Sequence, residues 1–307
     1  YAFMHVVNTD GNANSMTKNT LSWDDAQTLL TVIECQSFSR AAASLGVGQP
    51  TVSRRIKALE ARLQQQLFIR GKHGATATAA ANDLQVAARQ MAKWAAEFQR
   101  IANGAEDKLA GVVKIAAPPG VAVEQIAPFA AILRKLEPNL RLEILSAVDH
   151  VDLTRGTADI AIRTNHPKEP GLECLYESQT QPKVYGAKSY VAKLHQPCAW
   201  EDLDWISWAG QYSSLSPRSM LEKAIPDFTP IFASDDFLVQ KAAAIAGLGA
   251  MIMGESNTLE ESGLVEIDVG VKLPPVSFYL VCAKSMSHMR KIQTVSKLLI
   301  RCLVNAR

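Results

Sequence analysis

The 307-residue sequence predicts an α+β protein with more than one domain. Three observations support this class: short helical patterns separated by glycines, then a heptad pattern, then alternating strand and helix patterns. A hydrophobic fraction of 48% and a charged fraction of 20% are ordinary for a globular protein. The expected parts are a flexible tail, 1–20; a first domain, 21–78; a linker helix, 79–104; and a second domain, 111–307.

Membrane, metal and redox functions have little support in the sequence. No apolar run approaches the roughly 20 residues that span a bilayer, and residues 1–20 lack a signal-peptide pattern, so we expect a cytoplasmic protein. The cysteines form no CxxC pair and have no zinc-ligand spacing to the six histidines. We predict free thiols, no metal and no cofactor; a redox sensor is an alternative without a supporting motif. The five cysteines are Cys35, Cys174, Cys198, Cys282 and Cys302.

The first domain begins with helical patterns and turn residues. Ser22 is a candidate N-cap for a first helix, and Ser39 for a short second helix, Arg40 to Leu45. Gly46 and Gly48 bracket a tight turn. Pro50 suits the first turn of a third helix, so the order is that of a helix-turn-helix. The apolar residues of the first helix are Trp23, Ala26, Leu29, Leu30 and Ile33.

The third helix combines one apolar face with one cationic face. Its apolar residues are Val52, Ile56, Leu59 and Leu63, whereas Ser53, Arg54, Arg55, Lys57 and Ala61 lie opposite or on the flanks. From Ser37 to Arg70 there are six basic residues and one acid, although the whole chain is only +2. A solvated charged face is the alternative, but groove and phosphate recognition explains this concentration better. LFIRGKHGATAT then predicts a β-wing with basic residues at its tip.

The segment from Leu21 to about Leu84 resembles the N-terminal domain of LysR-type transcriptional regulators. The matching residues are Phe38, Arg40-Ala41-Ala42, Leu45, Gln49-Pro50, Val52-Ser53-Arg54, Ile56, Leu59-Glu60, Leu63, Leu67-Phe68 and Arg70. In departure from the family, Gly48 replaces the usual Ser, and Ala79 and Ala81 replace Glu and Gly. The helix pattern and the resemblance together imply a DNA-binding set of Arg40, Gln49, Pro50, Thr51, Ser53, Arg54, Arg55, Lys57, Arg70 and Lys72.

A long helix follows, with apolar residues seven apart. Because this a/d pattern is typical of a coiled coil, we predict a dimerisation seam; packing onto the chain's own core is the alternative. The resemblance likewise implies a linker helix that pairs two chains, within a homodimer or homotetramer. The predicted seam residues are Leu84, Met91, Trp94, Phe98 and Ile101.

From Gly111 onward, strand and helix patterns alternate, which predicts an α/β fold with mainly parallel sheets. This part resembles the family's effector domain, two lobes similar to periplasmic binding proteins, most clearly at TRGTADIAIR and AGLGAMIM. We expect lobe I at about 111–182 and 284–307, and lobe II at about 183–283. Pro118-Pro119 stands where the family often has a Ser or Thr that holds an effector carboxylate. The positions expected at the strand ends are Pro118, Pro119, Gly120, Thr164, Trp208 and Asp235.

These features predict a transcriptional regulator that binds a pseudo-palindromic promoter site in double-stranded DNA and responds to a small-molecule effector. The resemblance also makes RNA polymerase a candidate partner. An enzyme is disfavoured because GxSxG, HExxH, GxxxxGK[ST] and GxGxxG motifs are missing. Two alternatives remain open: an architectural DNA-binding protein, and an effector half that serves only oligomer contacts.

Overall fold

The computed structural model describes residues 21–71, 74–102, 109–149, 151–153, 156–195, 197–254 and 262–305. The expected tail, Lys72 of the expected wing and Gly104 at the end of the expected linker helix lie outside these residues. The chain divides into two compact units, with the boundary between residues 106 and 107. Across the described ranges, no helix has both the length and the apolar character needed to cross a bilayer.

The first unit is a helix-turn-helix followed by a β-hairpin and a long helix. Ser22 caps α1, as predicted, and the Asp25 side chain completes a capping box. The second helix begins two residues before the expected Arg40, because Ser37, not Ser39, accepts the capping hydrogen bond, from the Arg40 N–H. The elements are α1 (Trp23–Cys35), α2 (Phe38–Leu45), α3 (Gln49–Leu63), β1 (Phe68–Gly71), β2 (Gly74–Ala77) and α4 (Ala79–Ala102).

The core of this unit joins all three short helices to the hairpin. Val52, Ile56 and Leu59 are buried, so the predicted apolar face of α3 is confirmed. The hairpin is fastened to the end of α1 by the Ala75 N–H, which donates to the Gln36 carbonyl at 2.9 Å. Gly74 permits this approach: its φ is +124°, and a Cβ there would lie 2.3 Å from the Gln36 oxygen.

The second unit contains a five-stranded mixed sheet in lobe I, in the order β4-β3-β5-β12-β6. β3 is parallel to β4 and β5, whereas β12 is antiparallel to β5 and β6. Helices α6 and α10 cover the sheet through a core that includes Phe129, Leu133, Ile292 and Leu299. The lobe I elements are β3 (Gly111–Ala117), α5 (Pro119–Val121), a π-turn (Ala122–Ile126), α6 (Ala127–Leu136), β4 (Leu140–Ser146), β5 (Ile160–Arg163), β6 (Leu172–Thr180), β12 (Val276–Ala283) and α10 (Arg290–Asn305).

Lobe II has two small sheets, an antiparallel one in the order β10-β7-β11 and a parallel pair, β8 and β9. Its elements are β7 (Lys183–Ala187), α7 (Lys188–Val191), β8 (Ile206–Trp208), α8 (Arg218–Ala224), β9 (Phe232–Ser234), α9 (Phe237–Ile245), β10 (Met251–Met253) and β11 (Leu264–Ile267).

Two expectations for this unit were wrong. The sheets are not mainly parallel, because β12 and the β7 pairings are antiparallel. Residues 276–283, expected in lobe II, form β12 at the inside of the lobe I sheet. Both β12 and the following helix α10 belong to lobe I, and β12 lies between β5 and β6 in its sheet.

Candidate nucleic-acid interface and effector cleft

The start of α3 and its outer face form the candidate DNA surface. Gln49 and Pro50 occupy the first helical positions and are exposed. Arg54 and Lys57 are exposed along the helix, and Arg55 is half-buried at its flank. Thr51 and Ser53 are also half-buried, and Arg40 is exposed on α2. The structure therefore brings nine of the ten predicted DNA-contact residues into the helix-turn-helix and hairpin; Lys72 is the tenth.

The single acid of the basic stretch is turned away from this surface. The Glu60 carboxylate accepts hydrogen bonds from the Leu67 and Phe68 N–H groups at 2.8 and 3.2 Å. Arg62 pairs with Asp25 of α1 at 2.6 Å. Burial raises the pKa of Asp25, but hydrogen bonds from Ser22 and Arg62 outweigh this and leave that pKa below its ordinary value. Sequence analysis missed both contacts. Because the Glu60 carboxylate is bonded to the chain before the hairpin, the exposed Arg54 and Lys57 keep the outer face of α3 cationic.

Arg70 ties the hairpin to α3. Its guanidinium lies 4.4 Å from the centre of the Phe38 ring, and its Nη2 donates to the Ser53 Oγ at 3.0 Å. An arginine that is already stacked on an aromatic ring and hydrogen-bonded to a serine loses little further side-chain entropy when it binds an anion. The arrangement holds a cation beside α3 in a fixed place, where a phosphate can meet it.

Gly48 leaves the start of α3 without a side-chain cap. It is the N-cap residue, and its carbonyl accepts from the Thr51 N–H at 2.9 Å, but no side chain caps the helix. In this first turn Pro50 has no N–H and the Thr51 N–H is bonded to Gly48, so the Gln49 N–H is the one that remains available to an anion such as a DNA phosphate.

The predicted seam of α4 divides into two parts. Leu84 packs against the core of its own unit beside buried Ala81, so the alternative of self-packing holds for this residue. Met91, Trp94 and Phe98 are exposed by 40%, 42% and 75% in the single chain. Ile101 lies on α4, but its side chain is not among those described. The exposed aromatic residues fit a surface that another chain covers.

The candidate effector cleft begins at the carboxyl ends of β3 and β5 in lobe I. A cavity of about 30 Å³ lies there, and Pro118 and Thr164 line it as expected. All the residues that line this cavity belong to lobe I. Arg163 also lines it, and is held by Glu169 at 2.9 Å and by the Val151 carbonyl at 2.8 Å.

The other predicted effector positions, Pro119 among them, do not line this cavity. Gly120 lies against Phe237 of α9, since a Cβ on Gly120 would be 3.2 Å from that ring. Trp208 packs edge-on to Tyr212, with 5.8 Å between ring centres. Asp235 is exposed, and the neighbouring Asp236 caps α9 instead.

Polar contacts between described side chains join the lobes across the cleft. The Tyr212 hydroxyl of lobe II donates to the Asp149 carboxylate of lobe I at 3.1 Å. Lys241 of α9 forms an ion pair with Glu124 of the π-turn, and both side chains are largely buried. Sequence analysis missed all four residues, because no local pattern signals partners 63 and 117 positions apart.

Comparisons with known proteins match both units. A family model described as bacterial regulatory helix-turn-helix protein, lysR family, matches residues 23–82. A second, described as LysR substrate binding domain, matches residues 106–302, more than half of the chain. The chain belongs to the LysR family. It is therefore a DNA-binding transcriptional regulator with an effector-binding domain.

Relatives of this LysR-family chain span nearly its whole length. The HTH-type transcriptional regulator BbuR of Bordetella bronchiseptica is 22% identical, covering 91% of this chain and 89% of BbuR. Full-length OxyR from Pseudomonas aeruginosa has a TM-score of 0.69 at 19% identity, covering 93% of this chain and 96% of that one. Full-length LysG from Corynebacterium glutamicum, solved with bound effector Arg, has a TM-score of 0.64 at 18% identity. The match covers 93% of this chain and 99% of the LysG chain.

Three of the five thiols of this LysR-family chain have a raised pKa. All five cysteines are free. Burial raises the pKa of Cys174 and Cys198, and raises that of Cys282 to about 12. Since the thiolate is the reactive form, a raised pKa lowers the reactivity of these three thiols at neutral pH. Within the described ranges, no cluster of three or more potential metal ligands occurs.

Proposed function

We propose that this LysR-family regulator binds a pseudo-palindromic promoter site by inserting α3 into the major groove. The observation that carries the proposal is the outer face of α3, where Arg54 and Lys57 are exposed while Glu60 is turned inward. Base edges would be read by Gln49, Pro50, Ser53 and Arg54, near the start of the helix. Arg40, Thr51, Arg55, Lys57, Arg70 and Lys72 would contact phosphates.

The proposed assembly is a homodimer or homotetramer. One helix-turn-helix reads one half-site, so a two-fold symmetric site calls for two copies. Trp94 and Phe98, exposed on α4, support pairing through that helix. RNA polymerase is a further proposed partner, and we assign no catalytic activity. A protein that acts on promoter DNA works where the chromosome is, so we place it in the cytoplasm.

The proposed ligand of the second unit is a small molecule that binds between the lobes. Pro118 and Thr164 at the strand ends support this position. The solved LysG chain, which shares the fold, carries a bound effector, Arg. For this chain, a small effector would shift the placement of the two lobes and thereby change how the oligomer bends DNA.

Fluorescence anisotropy tests the DNA-binding proposal. The purified full chain is titrated against DNA from upstream of its own gene and against random DNA of equal length, at two salt concentrations. The expected result is tighter binding to the upstream DNA at both salt concentrations, with both affinities falling as salt rises. Equal, weak binding to both DNAs contradicts the proposal and favours an architectural role.

A further inference from the structure

The cleft between the lobes is bridged by the chain's own side chains. The Glu124–Lys241 ion pair links the π-turn of lobe I to α9 of lobe II, with 8% and 12% of the two side chains exposed. Tyr212 bonds Asp149 at a second point. The first of these contacts is largely buried and the second is exposed, and both join the lobes across the cleft.

Lobe II presents Lys241 on a rigid support. Asp236 caps α9 by accepting hydrogen bonds from Leu238 and Val239 at 2.7 and 3.4 Å. The buried Gln240, next to Lys241, donates from Nε2 to the Ser234 carbonyl at 2.8 Å, which ties α9 to β9. The ammonium of Lys241 is therefore held at the cleft by a fixed helix, and a buried ammonium needs an anionic partner.

Lobe I supplies that anion from an irregular segment. Pro128 lies four residues after Glu124, so its ring would clash with the Glu124 carbonyl in a regular α-helix. The chain responds with a π-turn over Ala122–Ile126, in which the Ala127 N–H donates to the Ala122 carbonyl. Pro118 and Pro119 at the start of the same helix have no N–H groups, which removes the usual donors for an external carboxylate.

We propose that Lys241 is a carboxylate-binding site and that Glu124 is its built-in occupant. A small carboxylate effector would act by displacing Glu124 from Lys241, which releases the π-turn and opens the lobes. This inference rests on the proposed function for its regulatory meaning, because it assigns the ligand class to the same cleft. The Lys241 site itself is independent of DNA.

Chemical rescue of Glu124→Ala tests the site. The variant leaves the Lys241 ammonium without Glu124 and opens space beside it. Sodium acetate should raise the melting temperature of Glu124→Ala saturably, by about 2–4 °C at concentrations well above its dissociation constant. Sodium chloride of equal ionic strength should not. The rise should be lost in Glu124→Ala/Lys241→Met, and the wild type should show none at the same concentrations.

A rise of equal size in the double variant, or no acetate-dependent rise in Glu124→Ala, overturns the proposal. Should Glu124→Ala fail to fold, the isosteric set Glu124→Gln, Lys241→Met and Glu124→Gln/Lys241→Met replaces it. Each single variant should then melt lower than the double variant, because one charge is left buried alone. Single variants as stable as the double variant contradict the pairing. DNA anisotropy on the wild type is read separately, so failure of the proposed function is distinguishable from failure of this site.

Discussion

Arg54 lies on the exposed face of α3, one turn after the helix begins. If it contacts a base, Arg54→Ala should cost about 1–3 kcal/mol of binding free energy and relax preference at one base position. Anisotropy against a set of single-base variants of the upstream DNA measures both effects. Arg141→Ala, which removes an exposed arginine from β4, is the matched control. Equal losses in the two variants would remove Arg54 from the reading surface.

Lys57 lies on the same face, about one turn further along. A lysine that contacts only phosphate does not distinguish between base sequences. Lys57→Ala should therefore lower the affinity for upstream DNA and for random DNA by similar factors. The slope of log affinity against log salt should fall by about one. A loss confined to the upstream DNA would show that Lys57 reads a base instead.

Gly74 is the residue on which the position of the hairpin depends. Gly74→Ala imposes a disfavoured backbone conformation at φ +124° and places a methyl group 2.3 Å from the Gln36 carbonyl oxygen. The change should lower the unfolding free energy of the first unit by about 1–3 kcal/mol or more, measured by denaturant titration. Gly71→Ala, with no atom within 4 Å of the added Cβ, is the control and should have little effect. Equal stabilities would contradict this role.

At the scale of elements, local signals account for what the sequence could predict. The apolar face of α3, the cap at Ser22 and the hairpin depend on residues a few positions apart, so they could be predicted. The shift of the α2 cap from Ser39 to Ser37 shows the limit, since two serines flank Phe38 and only folding decides between them. The lobe assignment of β12 failed because strand order within a sheet leaves no local signal.

The linker helix α4 carries the prediction that concerns assembly. Phe98→Asp places a charge on the most exposed aromatic residue of the expected seam and should lower the oligomer's mass by light scattering. Gln99→Asp is the control, because Gln99 is exposed one residue away, off the heptad positions. An unchanged mass for Phe98→Asp, or an equal loss for both variants, would contradict the coiled-coil interpretation.

At the scale of the whole molecule, positive charge is concentrated in the first unit, which is the DNA-binding one. The chain is only +2 overall, and its cationic stretch lies where phosphate is expected. The predicted Pro118 and Thr164 both line one cavity of the candidate effector cleft. The contacts that join the two lobes, Glu124 with Lys241 and Asp149 with Tyr212, are visible only in the folded chain. Those partners are far apart in sequence, so no motif could indicate them.

The most direct test of the account is hydroxyl-radical footprinting of the full chain on DNA from upstream of its own gene. Two copies of α3 in successive major grooves predict two dyad-related protected segments, about 10 base pairs apart or a multiple of that spacing. Arg54→Ala should reduce the protection of both DNA segments to the same extent. Uniform protection without dyad symmetry, or no protection at concentrations that saturate the anisotropy signal, would contradict the proposal that this chain reads a two-fold symmetric promoter site.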